Sequence, residues 1–136
     1  MSQQNISQVS IYKNLFDDKD KVFELVKNDF NISPSKISLN PKKFKNHPKS
    51  LILFYAPWCT HCKEFKKKYI DLAMDYFLTY SFGAVNIENT KDKNDELRYL
   101  AKIEYIPTLK YVDDKGDLQD FPYTVDYDNI IYFLNT

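Results

Sequence analysis

The sequence predicts an α/β fold, a central mixed β-sheet flanked by helices. Three observations carry that expectation. The run Leu51-Ile52-Leu53-Phe54-Tyr55 is continuously apolar, as in a strand buried on both faces inside a parallel or mixed sheet. After it, helix-like and strand-like patterns alternate. Near the C-terminus the alternation gives way to two short strand patterns around Asp113-Asp114-Lys115-Gly116, the signature of an antiparallel hairpin.

Taken in order, residues 1 to about 18 are polar and expected to be loose. Over 18–30, Val22, Val26 and Phe30 recur every fourth residue, with Phe23 and Leu25 widening the stripe and Asp17, Asp18 and Asp20 available as caps. That spacing predicts an amphipathic helix. Ile32-Ser33-Pro34-Ser35 stops it, because the residue before a proline avoids the helical region. An extended segment follows over 35–39. Asn40-Pro41 then joins a capping asparagine to a proline at the first helical position, predicting a short helix that ends at Asn46-His47-Pro48.

Beyond the 51–55 strand, Phe65, Tyr69, Leu72, Tyr76 and Phe77 fall at helical spacing. They predict a long helix from 59 to about 80, with Tyr69, Tyr76 and Phe77 in the core and Lys63, Lys66, Lys67 and Lys68 on a solvated face. A strand is expected over 82–87, and a helix over 95–102 with Leu97, Leu100 and Ala101 inward. The hairpin runs from 108–112 to about 121, and a closing helix spans 126–134. No internal repeat is present.

Composition narrows the function classes. At 136 residues the chain fits one domain, large enough to bury a core without disulfide or metal staples. Lysine plus arginine and aspartate plus glutamate are equal at 19 each, so charge recruits no nucleic acid. The N-terminus lacks a charged start followed by an apolar core and a cleavage site. The longest apolar run, 51–56, falls far short of the roughly 20 residues a membrane span needs. A protein of the cytoplasm, or packaged from there into a virus particle, is therefore expected, with no membrane association, a monomeric state and resting free thiols.

The chemistry concentrates in Phe54-Tyr55-Ala56-Pro57-Trp58-Cys59-Thr60-His61-Cys62-Lys63, which holds the only two cysteines. A cysteine opening a helix meets the positive end of the helix dipole and unsatisfied amides, both favouring thiolate, so Cys59 is placed to be a nucleophile. Cys62, one turn later, is close enough to attack a mixed disulfide at Cys59, and the spacing suits a closable dithiol. His61 between them can supply positive charge or a hydrogen bond that tunes the pair toward oxidising potentials. The same spacing also begins zinc sites. Zinc needs two further ligands and only His47 and His61 are histidine, so no metal and no cofactor is expected.

This stretch, together with Tyr105-Ile106-Pro107-Thr108-Leu109-Lys110, resembles the thioredoxin superfamily, most closely a protein disulfide isomerase-type catalytic domain. The resemblance covers about 35–136 and implies a thioredoxin-like domain there, preceded by an N-terminal helical extension over 1–34. It implies a thiol/disulfide oxidoreductase acting on protein or peptide thiols and disulfides, recycled by a reductant or an oxidant. Cys59 would attack, Cys62 resolve, Trp58 and Pro57 shape the rim, and a cis Pro107 would present Ile106 to an extended substrate. The other reading is a thioredoxin-fold binding or adaptor module with little redox turnover.

Departures from the family pattern bear on mechanism. Thr60 stands where glycine is usual. Leu53 replaces a buried acid that takes the resolving cysteine's proton, and Ala84 falls where its lysine partner often lies. Losing both avoids an unpaired buried charge but predicts slow resolution of mixed disulfides. Lys67 replaces a helix proline, 121–126 lacks the family's arginine, and the loop over 89–94 is lengthened. The direction of electron flow stays open: a reductase, a maker of disulfides in a specialised cytosolic setting, and delivery by an unusual route are all compatible.

Overall fold

The computed structural model describes residues 13–40 and 50–136. Along the chain come β1 (Val22–Leu25), β2 (Phe30–Ile32), β3 (Ile37–Leu39), β4 (Ser50–Tyr55), α1 (Thr60–Tyr76) and β5 (Phe82–Asn86). They are followed by α2 (Asn94–Leu100), β6 (Thr108–Val112), β7 (Leu118–Asp120) and α3 (Tyr127–Leu134). The main sheet has the order β1-β5-β4-β6-β7. Strands β1, β5 and β4 run parallel, while β6 and β7 join antiparallel. This is the predicted mixed sheet, and every residue of β4 is buried, as its unbroken apolar run requires.

The N-terminal region departs from expectation. Instead of a helix over 18–30, two short 3-10 turns, Asp18–Asp20 and Lys27–Asp29, bracket strand β1, and Phe30 opens β2. A four-residue repeat is also two strand periods, so the spacing of Val22, Val26 and Phe30 fits either geometry. Valine and phenylalanine favour the extended form where an edge is available, and β5 supplies one along the whole of β1. Strands β2 and β3 form a separate antiparallel pair. Leu39 N–H ties that pair to the hairpin turn by donating to Gly116 O at 2.9 Å, and Gly116 holds the φ of 88° that the turn needs. The helix predicted after Asn40, and His47 within it, lie outside the described residues.

Helix α1 fixes the sheet's active face. Buried Tyr69 donates its hydroxyl to Leu51 O at 3.2 Å and Gly83 O at 2.8 Å, satisfying a group that is costly to bury alone. Its ring meets Phe16 and Phe82 edge-on, and Phe16 in turn meets Tyr55. The helix continues unbroken through Lys67, which pairs with Asp71 at 3.1 Å. Tyr80, beyond its end, donates to Leu134 O of α3 at 2.6 Å. Two residues expected inward are exposed. Phe77 sits at the C-cap of α1 with Lys21 Nζ 4.7 Å from its ring centroid, and Leu100 ends a helix whose inward positions are filled by Leu97 and Ala101.

Candidate redox site

Strand β4 delivers the chain to the site. Its last residue, Tyr55, is followed by Ala56, whose carbonyl accepts Cys59 N–H at 3.1 Å and turns the backbone into α1. Cys59 is the N-cap: its Sγ accepts Cys62 N–H at 3.2 Å, in the place where serine or aspartate oxygens usually cap helices. An amide donor and the positive end of a 17-residue helix therefore converge on one sulfur. Both cysteines are free. Cys59 is 7% exposed and Cys62 fully enclosed behind it. Burial first, then its hydrogen bond to Cys59, pushes the Cys62 thiol well above the ordinary thiol value.

The other predicted residues lie beside the pair in sequence or in the loop before β6. Trp58 stands out at 60% exposure. His61 lies on the exposed side of the first turn with Nδ1 3.4 Å from Glu64 Oε1. The Ile106–Pro107 peptide is cis, as the resemblance implied, and Ile106 packs against the core beneath it. His61 and Pro107 share the wall of a cleft of about 550 Å³ with Phe65, Tyr105, Tyr123 and Tyr127. The first turns of α1, the loop before β6 and the segment after β7 thus meet around one groove. Its tyrosines were missed in the sequence, where only Tyr105 carried a signal, by adjoining the Ile-Pro pair.

Leu53 is buried in apolar surroundings and lies in register with Ala84, so the two expected departures are neighbours. Ala84 is in turn in register with Glu24 of β1, which sequence reasoning had placed on a helix. The Glu24 carboxylate accepts, at Oε2, the Tyr55 hydroxyl and the Phe16 N–H, the latter at 3.2 Å. The Tyr55 hydroxyl oxygen also accepts Leu15 N–H at 3.0 Å. Burial raises the Glu24 pKa to about 8, although both hydrogen bonds oppose it. Burial and then the Glu24 charge hold the Tyr55 phenol above its ordinary range. The sequence signal was an acid enclosed by Val22, Phe23, Leu25 and Val26.

Among the described residues no three His, Cys, Asp or Glu side chains gather as a metal-binding group, and no helix is long and apolar enough to cross a membrane. Comparison with known proteins agrees with the geometry. The thiol:disulfide interchange protein TxlA homolog of Synechocystis is 34% identical over 67 residues, which cover 49% of this chain and 36% of that protein. Protein disulfide-isomerase of Zea mays is 29% identical over 90 residues, covering 65% of this chain and 18% of the isomerase. The chain thus spans well under half the length of either relative. Spinach chloroplast thioredoxin F, short form, superposes with a TM-score of 0.63 at 22% identity, over 85% of this chain and 92% of the thioredoxin. The family model described as Thioredoxin matches residues 35–136, and the chain belongs to the thioredoxin family.

Proposed function

We propose that this protein is a thiol/disulfide oxidoreductase in which Cys59 exchanges with substrate and Cys62 resolves. The observation that carries the reading is the pair itself: a capping sulfur that receives an amide proton at the start of α1, with a second, fully buried thiol one turn behind it. A thiolate at Cys59 attacks a substrate disulfide, and Cys62 then displaces the substrate to close the Cys59-Cys62 disulfide. Its substrates are protein or peptide thiols and disulfides, with a reductant or oxidant recycling the pair and a monomer as the working unit. Trp58, Ile106 and Pro107 contact the peptide, and the cleft tyrosines extend that surface. His61, which meets Glu64 on the exposed side of the first turn, sets the potential. Residues 1–34 form an extension to the thioredoxin unit at 35–136, contributing β1 to its sheet.

Substitution separates the roles. Cys59→Ser abolishes reduction of a protein disulfide such as that of insulin, whereas Cys62→Ser accumulates mixed disulfides that gel shifts resolve. Full activity in Cys59→Ser would overturn the assignment. The binding-module reading is favoured by one observation, the full enclosure of Cys62, which raises its thiol and slows release. Trapped Cys59 adducts with no multiple turnover would select it.

A further inference from the structure

Resolution requires Cys62 to lose its proton, and enclosure works against that loss. Leu53 offers nothing to take it. In the same row of the sheet, with Ala84 between, lies the Glu24 carboxyl. Residues in register on adjacent strands project to one face, and Tyr55, two positions beyond Leu53 on β4, projects to that face too. The Tyr55 phenol donates to Glu24 Oε2 and feels the Cys62 charge, with no direct hydrogen bond between phenol and thiol. Both bonds to the carboxyl fall on Oε2. Glu24 is only partly buried, which leaves its carboxyl a route to solvent.

We propose that Glu24 exchanges the Cys62 proton with solvent through the Tyr55 hydroxyl, supplying from β1 the acid–base group that β4 lacks at Leu53. The proposal rests on the oxidoreductase reading above. In resolution, Cys62 Sγ forms a bond to Cys59 Sγ while the bond from Cys59 to the substrate sulfur breaks, and the substrate leaves as a thiolate with that electron pair. The Cys62 proton reaches the Tyr55 oxygen through one bridging water as the phenol's own proton passes to the Glu24 carboxylate, which later releases it to water. Two electrons have then moved from the dithiol to the substrate disulfide, and Tyr55 is neutral before and after. In the reverse step the protonated carboxyl returns a proton to Cys62 as it leaves Cys59.

The titratable groups facing Glu24 are Tyr55 from β4, Tyr69 from α1 and, through Tyr55, Cys62 of α1; the Phe16 N–H completes the surround. Burial keeps both tyrosines well above the ordinary phenol range. The carboxyl, ionising at about 8, is the member of this cluster that changes charge near neutrality.

The test mixes fully reduced protein with excess dithiobis(nitrobenzoate) and follows nitrothiobenzoate release, one phase for the Cys59 adduct and a second for its displacement by Cys62. In the wild type the ratio of second to first rate should climb with pH through about 8. In Glu24→Gln that climb should vanish and the ratio fall about tenfold or more near that pH. Tyr55→Phe, which retains the ring packed on Phe16, should behave alike and guards against a folding defect in the first variant. A second-phase pH profile unchanged in either folded variant would overturn the proposal. Absence of the first phase in the wild type would instead remove the oxidoreductase reading beneath it.

Discussion

Glu24 carries a thermodynamic consequence that does not depend on its role in catalysis. In the folded chain its carboxyl holds a proton up to about pH 8, whereas an unfolded glutamate gives it up near 4.5. Between those values the folded state binds more protons than the unfolded one, so its contribution to stability is full below about 4.5 and is lost as pH rises through about 8. The loss is on the order of a few kcal/mol. Urea unfolding at the two ends of this window should show a wild type weaker on the alkaline side and a Glu24→Gln protein that is far flatter. An equal decline in the variant would assign the dependence to other groups. Glu24 escaped a role in the sequence reading because its partner Tyr55 is 31 positions away, on another strand. Cys59, Cys62 and His61 were legible because their chemistry lies within one helical turn.

At the scale of elements, the same difference between local and distant information explains what was read correctly. β4, α1, β5, the hairpin and α3 announce themselves by runs, periods and caps within their own residues; Asp126, for instance, caps α3 by accepting Asn129 N–H at 2.8 Å. β1 does not, because its identity comes from β5, which lies more than fifty positions on. The join between these strands is held at one end by Asn94, which is buried. Its Nδ2 donates to Leu25 O at 3.2 Å and Asn86 O at 3.0 Å, and its Oδ1 accepts Lys27 N–H at 2.9 Å. Asn94→Ala strands all three backbone groups. With each enclosed orphan costing about 1–3 kcal/mol and water entering to satisfy some of them, a loss of about 2–4 kcal/mol is expected in chemical denaturation. A loss below about 0.5 kcal/mol would show that the two carbonyls and the amide find water without cost.

For the molecule as a whole, the fold supplies an N-cap sulfur, a buried second thiol, a carboxyl–phenol pair and a tyrosine-lined cleft. The fold class was legible because a continuous apolar strand, alternating elements and a terminal hairpin leave few other arrangements. Less legible was the way β1 completes it, since a strand at a sheet edge depends on a neighbour that no local pattern reveals. Closure of the Cys59-Cys62 pair is the central claim, and intact-protein mass in defined glutathione buffers tests it most directly. The dithiol should convert to an intramolecular disulfide, losing two hydrogens, at a potential between about −180 mV, characteristic of disulfide isomerase, and about −270 mV, characteristic of thioredoxin. A value at the isomerase end would mark an oxidant or isomerase, and one at the thioredoxin end a reductase. A pair that stays open, or that carries glutathione on Cys59 without ever closing, would contradict the account.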